Sequence, residues 1–105
     1  MYTLLVLYPP PLSKDDFRRY YVDAHLPLAA QLPGLRSSSH VFEPQGVGSA
    51  SPYFCIWQGQ FDSADALDAA MQSEIGQRVA ADTANYASGG VHVLRYGATA
   101  GRIAH

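Results

Sequence analysis

The segment from Asp15 to Gly34 carries the residues best suited to chemistry. It reads DDFRRYYVDAHLPLAAQLPG and places His25 one helical turn after Tyr21 and two residues before Pro27. Proline has no amide N–H and pushes the preceding residue away from α geometry. We therefore predict that Pro27 breaks the helix and that His25 points into a pocket between helix and sheet. An imidazole beside a phenol suits proton transfer, in which Tyr21 orients His25 or donates to a developing oxyanion.

The same histidine also has a purely structural interpretation. A histidine beside an apolar stripe often packs as an aromatic ring with one hydrogen bond, and Pro27 can simply shape the helix. The dipole at a helix C-terminus raises the pKa of a histidine, whereas burial lowers it. The sequence leaves the role and the charge of His25 open, although the group is expected to titrate near neutral pH.

Further aromatic and polar side chains are candidates for binding a ligand. Pockets for apolar ligands are lined by aromatic groups, but such residues more often simply form the hydrophobic core. Asp82 and Tyr86 lie one helical turn apart and can share a helix face, a pattern that a solvated turn would also give. The predicted ligand-binding residues are Tyr53, Trp57, Phe42, His40, Asp82 and Tyr86.

The remaining histidines and the single cysteine do not have the spacing of a metal site. His40 and His92 lie in predicted strands without a ligand-spaced partner, and no CxxC pattern occurs. Cys55, in the middle of the strongest predicted strand, is expected to be buried and unreactive. No G-x-G-x-x-G loop is present and no motif supports haem ligation. We therefore predict that the protein uses no metal and no cofactor.

Composition excludes several classes of partner. The chain of 105 residues has a net charge of −2 and a single lysine, Lys14, so it offers no basic surface for nucleic acid. No segment approaches the roughly 20 apolar residues that span a bilayer, and the apolar N-terminal run lacks the features of a signal peptide. A single cysteine fits a reducing compartment. We expect one cytoplasmic domain over residues 1–105, without nucleic-acid or membrane partners.

The hydrophobic pattern predicts the element order β-α-β-β-α-β. This is the arrangement of ferredoxin-like folds, an α+β class with a four-stranded antiparallel sheet and two helices on one face. Gly76 predicts an interruption in the second helical segment, because glycine destabilises helix interiors. The predicted strands are Tyr2–Tyr8, Leu35–Glu43, Tyr53–Phe61 and Val91–Gly97; the helical segments run from the Ser13 cap to Leu32 and from the Asp62 or Ser63 cap to Ser88; residues 98–105 form a tail.

The first and third strands, which this fold places at the centre of the sheet, are apolar on both faces. Two helices cover only one face, and charged residues make up only 15% of the chain against about 25% in a typical domain. The second face is therefore predicted to pack on a second copy of the chain around a twofold axis. The prediction is a homodimer with back-to-back sheets, a dimeric α/β barrel; the alternative is a tolerant, half-exposed surface.

Four segments resemble the EthD family, named for a protein linked to ethyl tert-butyl ether degradation, within the dimeric α/β-barrel superfamily. The resemblance implies the same ferredoxin-like dimer and a hydrophobic, often cyclic or aromatic substrate held between sheet and helices. Lactone isomerases that resemble this family use a histidine of the first helix in proton shuttling, which implies that role for His25. The segments are F-x-x-Y-Y-x-x-x-H-x-P-L (Phe17–Leu28), LPGL (Leu32–Leu35), FDSADALDAA (Phe61–Ala70) and AADTANYASGGV (Ala80–Val91).

Two hypotheses about function follow from these patterns. In the first, the protein is a cofactor-free isomerase, cyclase or oxygenase of a catabolic or secondary-metabolic pathway, and His25 moves a proton of a small hydrophobic substrate. In the second, it is a non-catalytic accessory or ligand-carrier dimer that supports a neighbouring oxygenase system, and His25 contributes one hydrogen bond. The sequence does not identify the ligand.

Overall fold

The computed structural model describes residues 1–98 of the chain, so residues 99–105 of the predicted tail lie outside the described range. Its strands are β1 (Tyr2–Tyr8), β2 (Ser37–Phe42), β3 (Cys55–Phe61) and β4 (His92–Gly97). They form one antiparallel sheet in the order β2-β3-β1-β4. The predicted ferredoxin-like architecture is confirmed, with β1 and β3 in the centre and β2 at an edge.

The first helical segment consists of α1 (Lys14–Tyr20), a π-helical turn (Tyr21–His25) and α2 (Leu26–Ala29). It starts at the predicted cap, where the Ser13 hydroxyl accepts a hydrogen bond from the Asp16 N–H at 3.2 Å. This bond satisfies one of the amide groups that have no partner at a helix N-terminus. Ser13 therefore fixes the point at which α1 begins, after the loop that follows β1.

Pro27 does not break this segment, and that prediction was wrong. The Leu26 N–H donates to the Tyr21 carbonyl five residues earlier, which widens the helix by a π-type turn. Pro27 then falls in the first turn of α2, where a missing N–H costs little. The buried residues of this segment are spaced four apart, which is more than the 3.6 residues of an α-helical turn. The wide turn makes up the difference and keeps them on one face: Phe17, Tyr21, His25 and Ala29.

The second helical segment is interrupted at Ser73 and not, as predicted, at Gly76. Ser73 ends α3 (Ala64–Gln72) and caps α4 (Glu74–Asp82), which continues into a 3₁₀ turn at Thr83–Asn85. Its hydroxyl donates to the Ala70 carbonyl and accepts from the Gly76 N–H at 3.0 Å. Gly76 lies inside α4, where its lack of a side chain lets the helix pass close to the backbone at Ala70.

The helices pack on one face of the sheet and form the core with it. This face of β1 and β3 carries Leu4, Tyr8, Trp57 and Phe61, all buried. Gly59 lies opposite Leu4, and its missing side chain leaves room for the Trp57 ring over the strand. The other face carries apolar side chains that no described residue covers fully: Leu5, Leu7, Val41, Ile56, Leu94 and Tyr96.

None of the helices within residues 1–98 is long and apolar enough to cross a bilayer.

Candidate active site

His25 and Asp82 meet between the two helical segments. The His25 ring comes from the π-helical turn, and Asp82 is the last residue of α4. His25 Nδ1 lies 2.9 Å from Asp82 Oδ2, although 57 positions separate the two residues. Both side chains are largely buried, with 5% and 15% of their surface exposed. The packing of the two helical segments therefore creates a histidine–carboxylate pair.

Asp82 is held by further hydrogen bonds on its other oxygen. The Tyr20 hydroxyl donates to Oδ1 at 2.6 Å, and the Asn85 amide donates to the same atom at 3.0 Å. Desolvation alone would raise the pKa of Asp82, but hydrogen bonds from Tyr20, Asn85 and His25 outweigh it and lower that pKa. Asp82 is therefore ionised at neutral pH. It orients His25, the role that the sequence assigned to Tyr21.

The charge of His25 is decided by burial. Burial lowers the pKa of His25, and the opposing effect of its hydrogen bond and charge interaction with Asp82 does not reverse this. The imidazole is therefore neutral at pH 7. A carboxylate can only accept hydrogen bonds, so Nδ1 carries the proton and Nε2 keeps its lone pair. Nε2 makes no hydrogen bond with any residue that the structure describes, and it is available as a base.

A cavity of about 190 Å³ opens beside His25, between the helices and the sheet. For comparison, an apolar cavity of about 150 Å³ in another protein binds benzene. The volume therefore suits a single ring rather than a fused polycyclic molecule. The wall is mostly apolar and is formed by Leu4, Val6, Tyr8, His25, Ala29, Leu32, Trp57, Met71, Val79, Ala80, Thr83, Val91 and Val93.

Three buried tyrosines form a cluster that contacts the histidine through Tyr21 and Tyr86. The Tyr21 ring stacks on His25 with centroids 5.4 Å apart, and the Tyr86 ring lies 4.6 Å from it. The Tyr86 and Tyr8 hydroxyls are hydrogen-bonded at 2.7 Å. Burial raises the pKa of all three phenols, that of Tyr8 to about 12, so each stays protonated at neutral pH. They are hydrogen-bond donors at any physiological pH.

The structure brings only part of the predicted site together. Trp57 lines the cavity, and Asp82 and Tyr86 contact His25. Phe42 and His40 pack against Tyr21, with centroids 5.8 and 6.1 Å away, and do not reach the cavity wall. They belong to β2, the edge strand on the side of the sheet remote from β4.

Tyr53 also lies away from the cavity. Its hydroxyl is 3.3 Å from Nδ1 of His92, whose strand partner, Leu7, belongs to the uncovered face of the sheet. Alternation along the predicted strand Tyr53–Phe61 would place Tyr53 on the same face as Cys55, but β3 begins only at Cys55, so the alternation does not extend back to Tyr53. Cys55 itself is buried as predicted, and burial raises the pKa of its thiol to about 12.

Sequence reasoning missed Tyr20, Asn85 and Tyr8. Tyr20 and Asn85 hold Asp82, and the cluster of Asp82, Asn85 and Tyr86 before a glycine pair was the available signal for Asn85. Tyr8 gave no signal, because a tyrosine at the end of an apolar strand is ordinary core composition. Within residues 1–98, no three histidine, cysteine or acidic side chains lie close enough together to bind a metal ion.

Comparison with known proteins identifies relatives of the chain. The EthD domain model matches residues 9–90. A protein of Rhodococcus erythropolis, described as an uncharacterized 11.0 kDa protein in the thcB-thcC intergenic region, is 32% identical over 94 residues. That alignment covers 90% of this chain and 91% of the relative.

Solved structures share the fold. An EthD family protein of Bacillus halodurans C-125 superposes with a TM-score of 0.86 at 24% identity, covering 94% of this chain and 99% of that one. A dimeric ferredoxin-like protein of Thermobifida fusca YX gives 0.66 at 15% identity, covering 90% and 88%. SnoaB of Streptomyces nogalater, a cofactor-independent oxygenase, gives 0.65 at 13% identity, covering 92% and 91%. Structural neighbours of the chain thus include dimers.

Proposed function

This chain belongs to the EthD family, and on that premise we propose that it binds a small hydrophobic molecule, cyclic or aromatic, and moves a proton of that molecule with His25. The observation that carries the proposal is the free Nε2 of a neutral, buried imidazole at the wall of an apolar cavity. The pathway is proposed to be catabolic or secondary-metabolic, in the cytoplasm.

The geometry favours general base catalysis without a cofactor. Asp82 fixes the tautomer of His25 and stabilises the imidazolium that forms when Nε2 takes a proton. In an apolar cavity such electrostatic effects are stronger than in water, because little solvent screens them. Proton transfer of this kind serves an isomerase or a cyclase, and it is also the first step by which a base activates a substrate for oxygen. The fold is shared with a protein described as a cofactor-independent oxygenase, which supports chemistry without a cofactor.

The functional unit is proposed to be a homodimer. Leu94 and Tyr96 on the uncovered face of the sheet are 54% and 47% exposed, which is costly for apolar groups in water. Packing this face against a second copy would bury them and form the barrel that the family resemblance implies. Dimeric proteins among the structural neighbours support the same assembly.

A ligand carrier is the second candidate function. Its support is the cavity itself, which is apolar and sized for one ring whether or not a reaction takes place there. In this case His25 would contribute only a hydrogen bond, and the protein would deliver or sequester a metabolite for an oxygenase system. The two functions differ in proton transfer and not in binding.

A binding experiment tests what both functions share. Cyclohexanone is titrated into the ¹⁵N-labelled protein, and amide shifts of cavity residues are followed by NMR. We expect saturable shifts at Ala29 and Ala80 in the wild type and their loss in Ala29→Leu, whose larger side chain fills the cavity. Val22→Leu, at an exposed position of the same helical segment, should bind like the wild type. Absence of saturable shifts in the wild type would contradict the proposed function.

Exchange of the α-protons of cyclohexanone for deuterium separates the enzyme from the carrier. For an enzyme, the protein accelerates exchange, and His25→Asn lowers that rate by about 10² to 10⁴, the usual contribution of a positioned base. The rate should rise with pH through a pKa lower than that of an ordinary histidine and then reach a plateau, because only neutral His25 accepts a proton and burial lowers its pKa. If the protein is a carrier, the wild type and His25→Asn both bind the ketone, and neither accelerates the exchange.

A further inference from the structure

The cluster of three buried tyrosines at His25 has more O–H protons than the described residues have acceptors for. The ring centroids of Tyr8, Tyr21 and Tyr86 lie within 5.6 Å of one another, and one hydrogen bond joins the Tyr8 and Tyr86 hydroxyls. One of these hydroxyls donates and the other keeps an unused proton. The Tyr21 hydroxyl is also buried and has no partner at hydrogen-bonding geometry among the described residues, although the Tyr8 hydroxyl and the Cys55 thiol lie near it. The Tyr8–Tyr86 pair by itself leaves one O–H proton without an acceptor within residues 1–98.

Such a surplus is unusual in a protein interior. Buried polar groups nearly always find a partner in the protein, in ordered water or in a ligand. The side chains around the phenols are apolar or aromatic, including Phe17 and Phe54, except for the thiol of Cys55, which is only a weak acceptor. The missing acceptor therefore has to come from the adjacent cavity.

Of the three phenols, Tyr8 belongs to the cavity wall. The other hydrogen-bonding side chains in that wall are His25, Trp57 and Thr83, within the part of the chain that the structure describes. Thr83 already donates its proton to the Ala80 carbonyl at 2.8 Å. His25 uses its only proton toward Asp82, so this lining residue has no proton left to donate and keeps the lone pair of Nε2. Tyr8 and the Trp57 indole are the remaining donors.

We propose that Tyr8 donates a hydrogen bond to a ring carbonyl oxygen of the ligand while His25 accepts the proton of a neighbouring carbon, so that the ligand is a cyclic ketone or another single-ring carbonyl compound. This inference rests on the proposed function and deepens it. A carbonyl satisfies both groups at once, because its oxygen accepts hydrogen bonds and its neighbouring C–H is acidic. A hydrocarbon ring would leave the Tyr8 hydroxyl without an acceptor and His25 without an acidic proton to accept.

The reaction step that follows is balanced within the protein and the ligand. The C–H bond next to the carbonyl breaks and its proton moves to Nε2 of His25. The electron pair of that bond forms a carbon–carbon double bond, and the carbonyl oxygen becomes an enolate oxyanion. Tyr8 stabilises the oxyanion because its hydrogen bond strengthens as charge develops on the oxygen. In a ring that already carries a carbon–carbon double bond next to that carbon, the enolate is conjugated with it, and return of the proton to the far end of that double bond would move the double bond; no oxidant or reductant is consumed.

A pair of probes of nearly equal shape tests the role of Tyr8. Cyclohexanone and methylenecyclohexane differ in the oxygen alone, and both are titrated by NMR at pH 8, where His25 is neutral. We expect the wild type to prefer the ketone by about 3- to 10-fold, the ratio that one neutral hydrogen bond gives. In Tyr8→Phe that preference should disappear while methylenecyclohexane still binds. Tyr96→Phe, on the opposite face of the sheet, should keep the preference.

The outcomes separate this inference from the proposed function. Equal affinity of the wild type for both probes, or a ketone preference that survives in Tyr8→Phe, would overturn the role of Tyr8 and leave the cavity as a ligand site. If the ketone preference is lost in Trp57→Phe and kept in Tyr8→Phe, the donor is the Trp57 indole, and the role of Tyr8 is overturned as well. Failure of both probes to bind the wild type would refute the proposed function itself.

A second measurement does not depend on a folded variant. In wild-type protein labelled with ¹³C at the tyrosine ζ carbon, cyclohexanone should shift the Tyr8 resonance, and methylenecyclohexane should shift it much less. Tyr2 and Tyr96, which do not line the cavity, serve as internal references. Equal responses of Tyr8 to both probes would contradict the hydrogen bond.

Discussion

The chemistry of the site depends on where one proton of His25 is held. Burial keeps the imidazole neutral, and the ionised Asp82 carboxylate requires that the remaining proton sit on Nδ1. Nε2 is then a base at neutral pH with a fixed direction. Tyr20 and Asn85 act one step further out, since they hold the carboxylate and do not line the cavity.

Replacing Asp82 by asparagine should lower the pKa of His25 further. The hydrogen bond and the negative charge of Asp82 both favour the protonated imidazole, so their loss makes that form still less stable in a buried site. A ¹³C NMR titration of the histidine side chains measures this pKa, with His25 assigned by its absence in His25→Asn. Asp23→Asn, at an exposed acid two residues away, should leave the titration unchanged. A higher pKa of His25 in Asp82→Asn would show that Asp82 does not interact with it as a carboxylate.

At the level of elements, two irregular junctions set the geometry of the site. The π-helical turn keeps Tyr21 and His25 on the buried face, and Ser73 ends α3 and starts α4 so that Asp82 reaches His25. Both junctions depend on hydrogen bonds that replace the regular α-helical ladder. The sequence predicted interruptions at Pro27 and Gly76, but each of these residues lies within a helix.

Replacing Gly76 by alanine should destabilise the protein. Glycine to alanine in a helix interior normally stabilises by about 1 kcal/mol. Here an added Cβ would collide with the carbonyl oxygen of Ala70 and the backbone of Met71. We expect the free energy of unfolding to fall by about 1 to 3 kcal/mol, as in overpacked cores. Urea denaturation at fixed protein concentration measures it.

Gln77→Ala is the matched control for that variant. It lies one position further along α4 and is exposed, so its effect should stay within about 0.5 kcal/mol. A stabilised Gly76→Ala would mean that α4 does not approach the end of α3 as closely as described.

For the whole molecule, the main feature is a sheet covered on one side. The Cα envelope of the chain is 17 Å in its shortest dimension, which fits one layer of helices on one sheet. The uncovered face carries leucine, valine, isoleucine and tyrosine side chains of all four strands. A small domain gains stability by burying such a surface against a partner.

Placing a charge on this face should dissociate the proposed dimer. Leu94→Lys adds an ammonium group where Leu94 is 54% exposed in one copy and would be buried in the dimer. Sedimentation velocity at low micromolar concentration should show dimers for the wild type and monomers for Leu94→Lys. Val22→Lys, at a 49% exposed valine of the helical layer, should remain dimeric. A wild-type protein that sediments as a monomer at every concentration would contradict the assembly.

Much of the candidate site could be predicted residue by residue, but its connections could not. His25, Trp57, Asp82 and Tyr86 were each predicted from local spacing or composition. Their contacts join positions far apart in sequence, such as the 57 residues between His25 and Asp82. Local patterns carry no information on which helix faces meet. Tyr53 shows that local patterns can also mislead: it precedes the start of β3 at Cys55, so the alternation of the strand does not determine where its side chain points.

The sequence by itself determined the order of the elements and the central position of β1 and β3, because hydrophobic alternation and helix caps act over a few residues. Only the tertiary structure decided the charge and the tautomer of His25, since both depend on desolvation and on a carboxylate from another helix. It also decided that Tyr8, an unremarked strand residue, joins the cavity wall. A pKa or a cavity is a property of groups that meet in space, and such meetings are settled only when the helices pack on the sheet.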